Sequence, residues 1–141
     1  MEMEQFWRLQ GAPRDIPALS VEVADNFLRR FLGLMGRESI EPSRALLLSP
    51  CSSVHMCFMR FAIDVVYLQR DRADDGCSIW RVIKVVRSLR PWIGVSACLK
   101  ADAALELASG EAERLGIQAG AVWRPCGFRM NGKRNTGGGF P

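Results

Sequence analysis

The chain has 141 residues, of which 48% are hydrophobic and 24% are charged. This composition is typical of one folded globular domain and excludes a disordered or collagen-like chain. No apolar run reaches the roughly 18 residues that a membrane-spanning helix needs, and the first residues lack the order of a secretory signal. We therefore expect a cytoplasmic protein without a membrane span.

The formal net charge of +4 is concentrated at the C-terminal end. Residues 1–113 carry 14 Lys plus Arg against 15 Asp plus Glu, whereas residues 114–141 carry five basic residues and no acid. The body of the chain is thus nearly neutral. Because no ribonucleoprotein motif, zinc finger or recognition helix accompanies the basic end, we expect no specific nucleic-acid binding.

Composition divides the chain into three parts. Residues 1–18 are broken by glycine and proline, and we expect them to form an arm that packs loosely. Residues 127–141 are rich in glycine and basic residues, so we expect a disordered tail. Residues 19–126 remain as a single folded domain.

The folded part begins with a strand followed by a helix. Apolar and polar residues alternate over 19–23, which predicts a half-buried strand. Asp25 or Asn26 can cap a helix that presents one apolar face over 25–35, and Gly36 can end it. We expect this amphipathic helix to pack on a sheet.

The remaining elements are short runs of β-branched and apolar residues separated by turn residues. They predict antiparallel strands near 45–49, 54–60, 63–70, 78–88, 98–108 and 121–126. Basic residues recur every three positions in 78–88, as on a helix, but the Ile and Val content favours a strand. A second, short helix is predicted over 109–116. The predicted fold class is therefore α+β.

Reactive side chains are most concentrated between residues 51 and 64. Cys51, His55 and Cys57 would share one face of an extended chain, which makes them candidate metal ligands. The spacing is not a recurrent zinc motif, and free cysteines often pack in cores, so we predict no cofactor. With five cysteines and no Cys-x-x-Cys pair, reduced thiols are expected.

His55 is the only histidine, and two further functional hypotheses use it. In an enzyme it would act as a general base oriented by Asp64 or Glu106, because imidazole transfers protons near neutral pH. In a binding domain, a groove of Arg37, His55, Phe58, Arg60 and Trp92 would combine apolar contact with two guanidinium groups. We favour a non-enzymatic domain that binds a small anionic ligand or a peptide segment, and we assign no catalytic residue.

Five motifs in order resemble a prokaryotic family known as domain of unknown function 192. They are Val-Glu-Val-Ala-Asp from residue 21, Gly33-Leu-Met-Gly-Arg37, the stretch from Val54 to Val66, Leu89-Arg-Pro-Trp92 and Leu105-Glu-Leu-Ala-Ser-Gly110. The resemblance implies an α+β domain with a curved, mostly antiparallel sheet of barrel character and a helix packed on it. It implies no activity.

The matched polar positions are Arg37, His55, Arg60, Asp64 and Glu106. Two positions depart from the family's pattern. Ala62 stands where relatives typically have proline, and Gly120-Ala121 stands where they have Gly-Asp. The second departure removes a carboxylate and weakens any proposal that needs an acid there. The sequence leaves the oligomeric state and the partner proteins open.

Overall fold

A computed structural model of the chain describes residues 3–24, 40–56, 60–130 and 133–134. Their elements in chain order are β1 Met3–Leu9, β2 Leu19–Ala24, β3 Arg44–Leu48, β4 Ser53–His55, β5 Ile63–Arg72, β6 Ser78–Leu89, β7 Val95–Ala97, β8 Ala103–Ala108, α1 Glu111–Arg114, β9 Val122–Met130 and β10 Lys133–Arg134. This part of the chain is mostly β, with one four-residue helix. The predicted helix over 25–35 lies outside the described residues.

Seven strands close into a barrel. Their order is β1-β2-β3-β8-β5-β6-β9, and β9 pairs again with β1. All neighbouring pairs in this ring are antiparallel except β2 and β3, which are parallel. A parallel pair needs a long crossover connection, and residues 25–43 provide that length. The predicted barrel character is confirmed.

Alternation along the strands produces two apolar layers. The inner cluster fills the barrel with Trp7, Trp80 and Trp123 among smaller aliphatic side chains. The rings of Trp7 and Trp80 stack with centroids 5.8 Å apart. The outer cluster lies on the opposite face of β3, β5 and β8 and is covered by a small two-stranded sheet of β4 and β7. The sheet therefore has apolar residues on both faces.

The prediction of a loose N-terminal arm is wrong for Met3–Leu9. These residues form β1, which pairs with both β2 and β9 and closes the barrel. The Trp7 side chain is fully buried between Trp80 and Trp123. Burying the Trp7 ring removes some 150–250 Å² of surface from water. This stabilises β1 more than the glycine and prolines that follow it destabilise an ordered arm.

The bounds of the C-terminal tail and of two strands also differ from those predicted. The predicted tail starts too early, because β9 continues through residues 127–130, where Gly127 lies opposite Phe6. The predicted strand over 98–108 is interrupted by a turn in which the Ala101 N–H donates to the Cys98 carbonyl, and only β8 remains. The predicted strand over 54–60 is reduced to β4, with residues 57–59 outside the described residues. Strand β6 is confirmed.

Candidate functional site

The β4–β7 sheet is fixed to the outer face of the barrel by side-chain contacts. Val54 and Met56 extend from β4 into the outer cluster. The Ser96 hydroxyl of β7 lies 2.5 Å from the Tyr67 hydroxyl, and Lys84 Nζ donates to the Ala97 carbonyl at 2.9 Å. These contacts hold the small sheet over the part of the barrel that contains the predicted site residues.

Glu106 lies on the barrel face that this small sheet covers. On β8 it is the register partner of Leu46 on one side and Val65 on the other, both members of the outer cluster. The side chain is 7% exposed and forms no hydrogen bond or ion pair with any described residue. Burial raises the pKa of the carboxyl group to about 7. A buried acid that titrates near neutral pH is suited to proton transfer.

Asp64 lies one register step away but on the other face of the sheet. Its Oδ1 accepts the Ser88 backbone N–H at 2.8 Å, and its Oδ2 accepts those of Gly110 at 3.0 Å and Ala112 at 2.9 Å. The carboxylate thus joins β5, the end of β6 and the start of α1. We assign Asp64 a structural role, which leaves Glu106 as the carboxylate candidate.

His55 ends β4, where its register partner is Val95. Its side chain lies outside the described residues, so the predicted contact with a carboxylate stays a prediction. The residues on either side of it, Val54 and Met56, belong to the apolar cluster on the face that carries Glu106. Strand β4, which carries His55, therefore covers the face on which Glu106 lies.

The predicted metal ligands are only partly described. Cys51 is half-buried, packs against the outer cluster, and donates from Sγ to the Ser53 carbonyl at 3.1 Å. Cys57 and the His55 side chain lie outside the described residues. Within the described part of the chain, no three His, Cys, Asp or Glu side chains are grouped to hold a metal ion. The metal hypothesis stays a prediction.

Two of the five predicted ligand-binding residues can be placed with their side chains. Arg60 and Trp92 are exposed, whereas Arg37 and Phe58 lie outside the described residues. The Trp92 N–H donates to the Met56 carbonyl at 2.8 Å, which joins the turn after β6 to the end of β4. Trp92 therefore lies on the surface beside the small sheet.

Sequence reasoning missed three apolar residues next to Trp92. In the residues that the structure describes, the exposed large apolar side chains are Trp92 at 56%, Ile93 at 73%, Val95 at 73% and Leu99 at 90%. We call these four residues the apolar surface. The charge pattern offered a signal, because the chain between Asp75 and Asp102 contains five basic residues and no acid.

The turn that carries Trp92 has a constrained backbone. Trp92 has a φ of +65°, in the left-handed region that bulky residues avoid. A Cβ on Gly94 would lie 2.5 Å from the Arg90 carbonyl oxygen, so this position requires glycine. Backbone strain that surrounding structure maintains is concentrated at functional positions. The geometry therefore supports a role for the Trp92 turn beyond packing.

The family follows from comparison with known proteins. The family model described as "Uncharacterized ACR", domain of unknown function 192, matches residues 10–124. The chain belongs to this family. The family is uncharacterised, so membership of it brings a fold and no reaction. The described residues contain no helix with the length and hydropathy needed to cross a membrane.

Similar proteins agree with this assignment. A UPF0127 protein of Pyrococcus furiosus is 43% identical over 60 residues, which cover 38% of this chain and 49% of that protein. The alignment thus spans about half the length of this relative.

Two crystal structures share the fold. A protein of unknown function from Novosphingobium aromaticivorans has a TM-score of 0.68 and 19% identity, covering 86% of this chain and 84% of that one. A Sinorhizobium meliloti protein described as a candidate transcription regulator has a TM-score of 0.69 and 22% identity, covering 86% of this chain and 93% of that one. At these identities the likeness concerns the fold alone.

Proposed function

We propose that this family member is a non-enzymatic binding domain that docks an extended peptide segment of a partner protein on the apolar surface. The observation that carries the proposal is the exposure of Trp92, Ile93, Val95 and Leu99 within eight residues. Contiguous exposed apolar side chains on a folded domain typically mark interaction sites. An exposed tryptophan is also the residue most enriched at binding hot spots.

The charges beside the apolar surface favour an acidic segment. Arg90 precedes Trp92 by two residues, Lys100 follows Leu99, and both are exposed. Neither of them forms an ion pair with a described residue. A segment with apolar and acidic side chains would match both chemistries. The small anionic ligand predicted from Arg37 and Arg60 stays a prediction, because Arg37 lies outside the described residues.

The edge of β7 favours an extended peptide over a lipid surface. The Met56 N–H donates to Gly94 and the Cys98 N–H to Ser52, so in this antiparallel register the backbone groups of Val95 and Ala97 point away from β4. The Ala97 carbonyl accepts Lys84, but the described residues offer Val95 no backbone partner. A peptide strand can pair with such an edge, whereas lipid chains cannot.

Binding of defined peptides tests this proposal. We would titrate the full chain with three end-blocked decapeptides that alternate Glu with Val, Lys with Val, and Glu with Ser, following the heat of binding by isothermal titration calorimetry. The Glu–Val peptide should bind at least ten times more tightly than the other two. The double variant Trp92→Ser with Leu99→Ser should lose this binding, and Arg90→Gln should weaken it more than the matched exposed variant Arg72→Gln.

Two results would contradict the proposal. One is equal affinity for all three peptides, which would remove the combined apolar and acidic recognition. The other is binding to phosphatidylglycerol vesicles without binding to the Glu–Val peptide, which would make the surface a lipid contact. Thermal unfolding of each variant should match the parent chain, because the substituted side chains are exposed.

Glu106 supports a second candidate, an enzyme that uses His55 as its base. Its buried carboxyl group has no partner among the described side chains, which do not include that of His55, and it lies beneath the strand that carries His55. The single histidine makes a direct test possible by NMR titration of the imidazole. If Glu106 orients His55, Glu106→Gln should lower the imidazole pKa, because it removes the charge that stabilises imidazolium. An unchanged imidazole pKa would contradict this candidate.

A further inference from the structure

A cavity of about 470 Å³ lies at one end of the barrel, away from the apolar surface. Its walls include Trp7, Leu19 and Trp123 of the inner cluster, and the loop between β1 and β2 covers it with Ile16 and Pro17. This volume is within the ~300–1,000 Å³ typical of small-molecule sites. The cavity is therefore large enough for a ligand and mainly apolar in its depth.

The charged residues that line this cavity are both arginines. Arg8 and Arg14 are exposed, no acid is among the described lining residues, and neither arginine pairs with a described carboxylate. Among the described residues, the side-chain hydrogen bond of Arg8 is a long contact of 3.4 Å from Nη1 to the Ile16 carbonyl. Two guanidinium groups without carboxylate partners beside an apolar chamber match an anionic group on an apolar body.

The acid near the rim is already neutralised. Ser43 lines the cavity, and its N–H donates to Glu111 Oε2 at 3.0 Å. Arg114 donates to both oxygens of Glu111 at 2.6 Å, and this pairing holds the pKa of Glu111 below its usual value. Among the described residues, Arg114 is thus paired with Glu111, whereas the guanidinium groups of Arg8 and Arg14 have no carboxylate partner.

One wall residue has an unsatisfied donor. The Trp123 indole N–H is buried and has no hydrogen-bond partner, the only such side-chain nitrogen or oxygen found in the described residues. The Trp7 indole, by contrast, donates to Gln5 Oε1 at 2.9 Å. Buried polar groups are nearly always paired, and exceptions often reflect a missing water or ligand. A ligand that shifts the Trp123 ring slightly would supply its acceptor.

We propose that this end of the barrel binds an organic acid with an apolar body, its carboxylate at Arg8 and Arg14 and its apolar part against Trp7 and Trp123. The site shares no residue with the apolar surface. It lies on the inner side of the sheet, whereas the peptide site lies over the outer cluster. The two proposals can therefore fail independently.

Decanoate is a suitable probe, with decanol and decyltrimethylammonium as ligands of similar apolar body and different charge. In ¹H–¹⁵N spectra of the full chain, decanoate should shift the indole signals of Trp7 and Trp123 and leave that of exposed Trp92 in place. Decanol and the ammonium compound should bind at least tenfold more weakly. The variant Arg8→Gln with Arg14→Gln should reduce decanoate affinity about tenfold, and Arg72→Gln should not.

The double variant can also change the conformation of the loop that carries Arg14, so the affinity for uncharged decanol serves as the internal reference. The proposal requires that the double variant weaken decanoate and leave decanol unchanged. It would be overturned if both ligands weakened equally, if decanol bound as well as decanoate, or if no indole signal of the inner cluster moved at saturating decanoate.

Discussion

Asp64 and Glu106 are two buried carboxyl groups one register step apart, on opposite faces of the same pair of strands. Asp64 accepts three backbone N–H groups on the inner face. Glu106 lies among apolar side chains on the outer face, forms no hydrogen bond with a described residue, and has a pKa raised to about 7. The hydrogen bonds of Asp64 stabilise the fold, whereas burial of Glu106 destabilises its charged form.

The difference shows how position decides the role of a polar residue. At the inner face, the ends of β6 and β8 and the start of α1 converge and leave backbone donors that need an acceptor. The middle of β8 offers no such donors, because its backbone groups pair with β3 and β5. Without a partner among the described residues, an ionisable side chain at this position costs stability, whereas Asp64 contributes to it.

The largest expected effect concerns the tryptophans of the two faces. Trp7→Ala should lower the free energy of unfolding by about 3–5 kcal/mol, because it leaves a large cavity in the inner cluster. Trp92→Ala should change it by less than about 0.5 kcal/mol, since that side chain is exposed. Urea denaturation of both variants measures this. Equal losses would show that the apolar surface belongs to the core.

Asp64→Asn should cost about 2–4 kcal/mol, measured in the same way. Both carboxylate oxygens of Asp64 accept backbone N–H groups, so in either orientation the NH₂ group of asparagine would face at least one of these donors. A buried donor without an acceptor lowers stability. Exposed Asp74→Asn is the matched control and should leave stability unchanged. If Asp64→Asn left the free energy of unfolding unchanged, these three hydrogen bonds would not stabilise the fold.

Glu106→Gln, unlike Asp64→Asn, should raise the free energy of unfolding above pH 7. The native carboxyl keeps its proton until about pH 7, against 4.5 for the ordinary group. Between these values the native state binds more protons than the unfolded state, so the free energy of unfolding falls as pH rises. At ~1.4 kcal/mol per tenfold change in ionisation constant, the loss above pH 7 is roughly 3 kcal/mol.

Stability against pH from 4 to 8 measures this effect. Glu106→Gln should flatten the decline and raise stability at pH 8, by less than the full amount because the amide is also buried without a partner. Exposed Glu113→Gln should reproduce the parent curve. A parent curve that rises from pH 5 to 8, or a destabilised Glu106→Gln at pH 8, would conflict with an unpartnered carboxyl.

The smallest expected effect concerns the Trp92 turn. Gly94→Ala should displace the turn, because the new Cβ would lie 2.5 Å from the Arg90 carbonyl oxygen. We expect the Glu–Val peptide to bind about fivefold more weakly and the free energy of unfolding to fall, because the clash is with backbone atoms. Gly127→Ala is the control, since its Cβ would meet only Phe6 at 3.7 Å. If Gly94→Ala bound the peptide with unchanged affinity, the constrained turn would not contribute to binding.

Much of the strand content could be predicted, because β2, β3, β5 and β6 have the apolar and β-branched patterns of buried strands. Strand β1 could not, since only Trp7 and Leu9 mark its inner face and the turn residues after it dominate the composition. Closure of the barrel depends on its pairing with β9, a contact between the two ends of the chain that local patterns do not report.

The candidate site was predicted in part. Glu106 and Asp64 were both singled out, but nothing in the sequence indicates that they lie on opposite faces, because this depends on the pairing of β5 with β8. Trp92 was identified from its motif, whereas Ile93, Val95 and Leu99 were not singled out, although all three are exposed. Apolar side chains left on the surface follow the same local patterns as buried ones, so only the packing separates them.

The ¹³C titration of the glutamate side-chain carboxyls tests most directly whether burial on the outer face raises the pKa of Glu106 to about 7. In uniformly labelled protein followed from pH 3 to 9, we predict one glutamate that titrates near pH 7 and is lost in Glu106→Gln. Titration of every glutamate below about pH 5, near the reference value of the side chain, would contradict it.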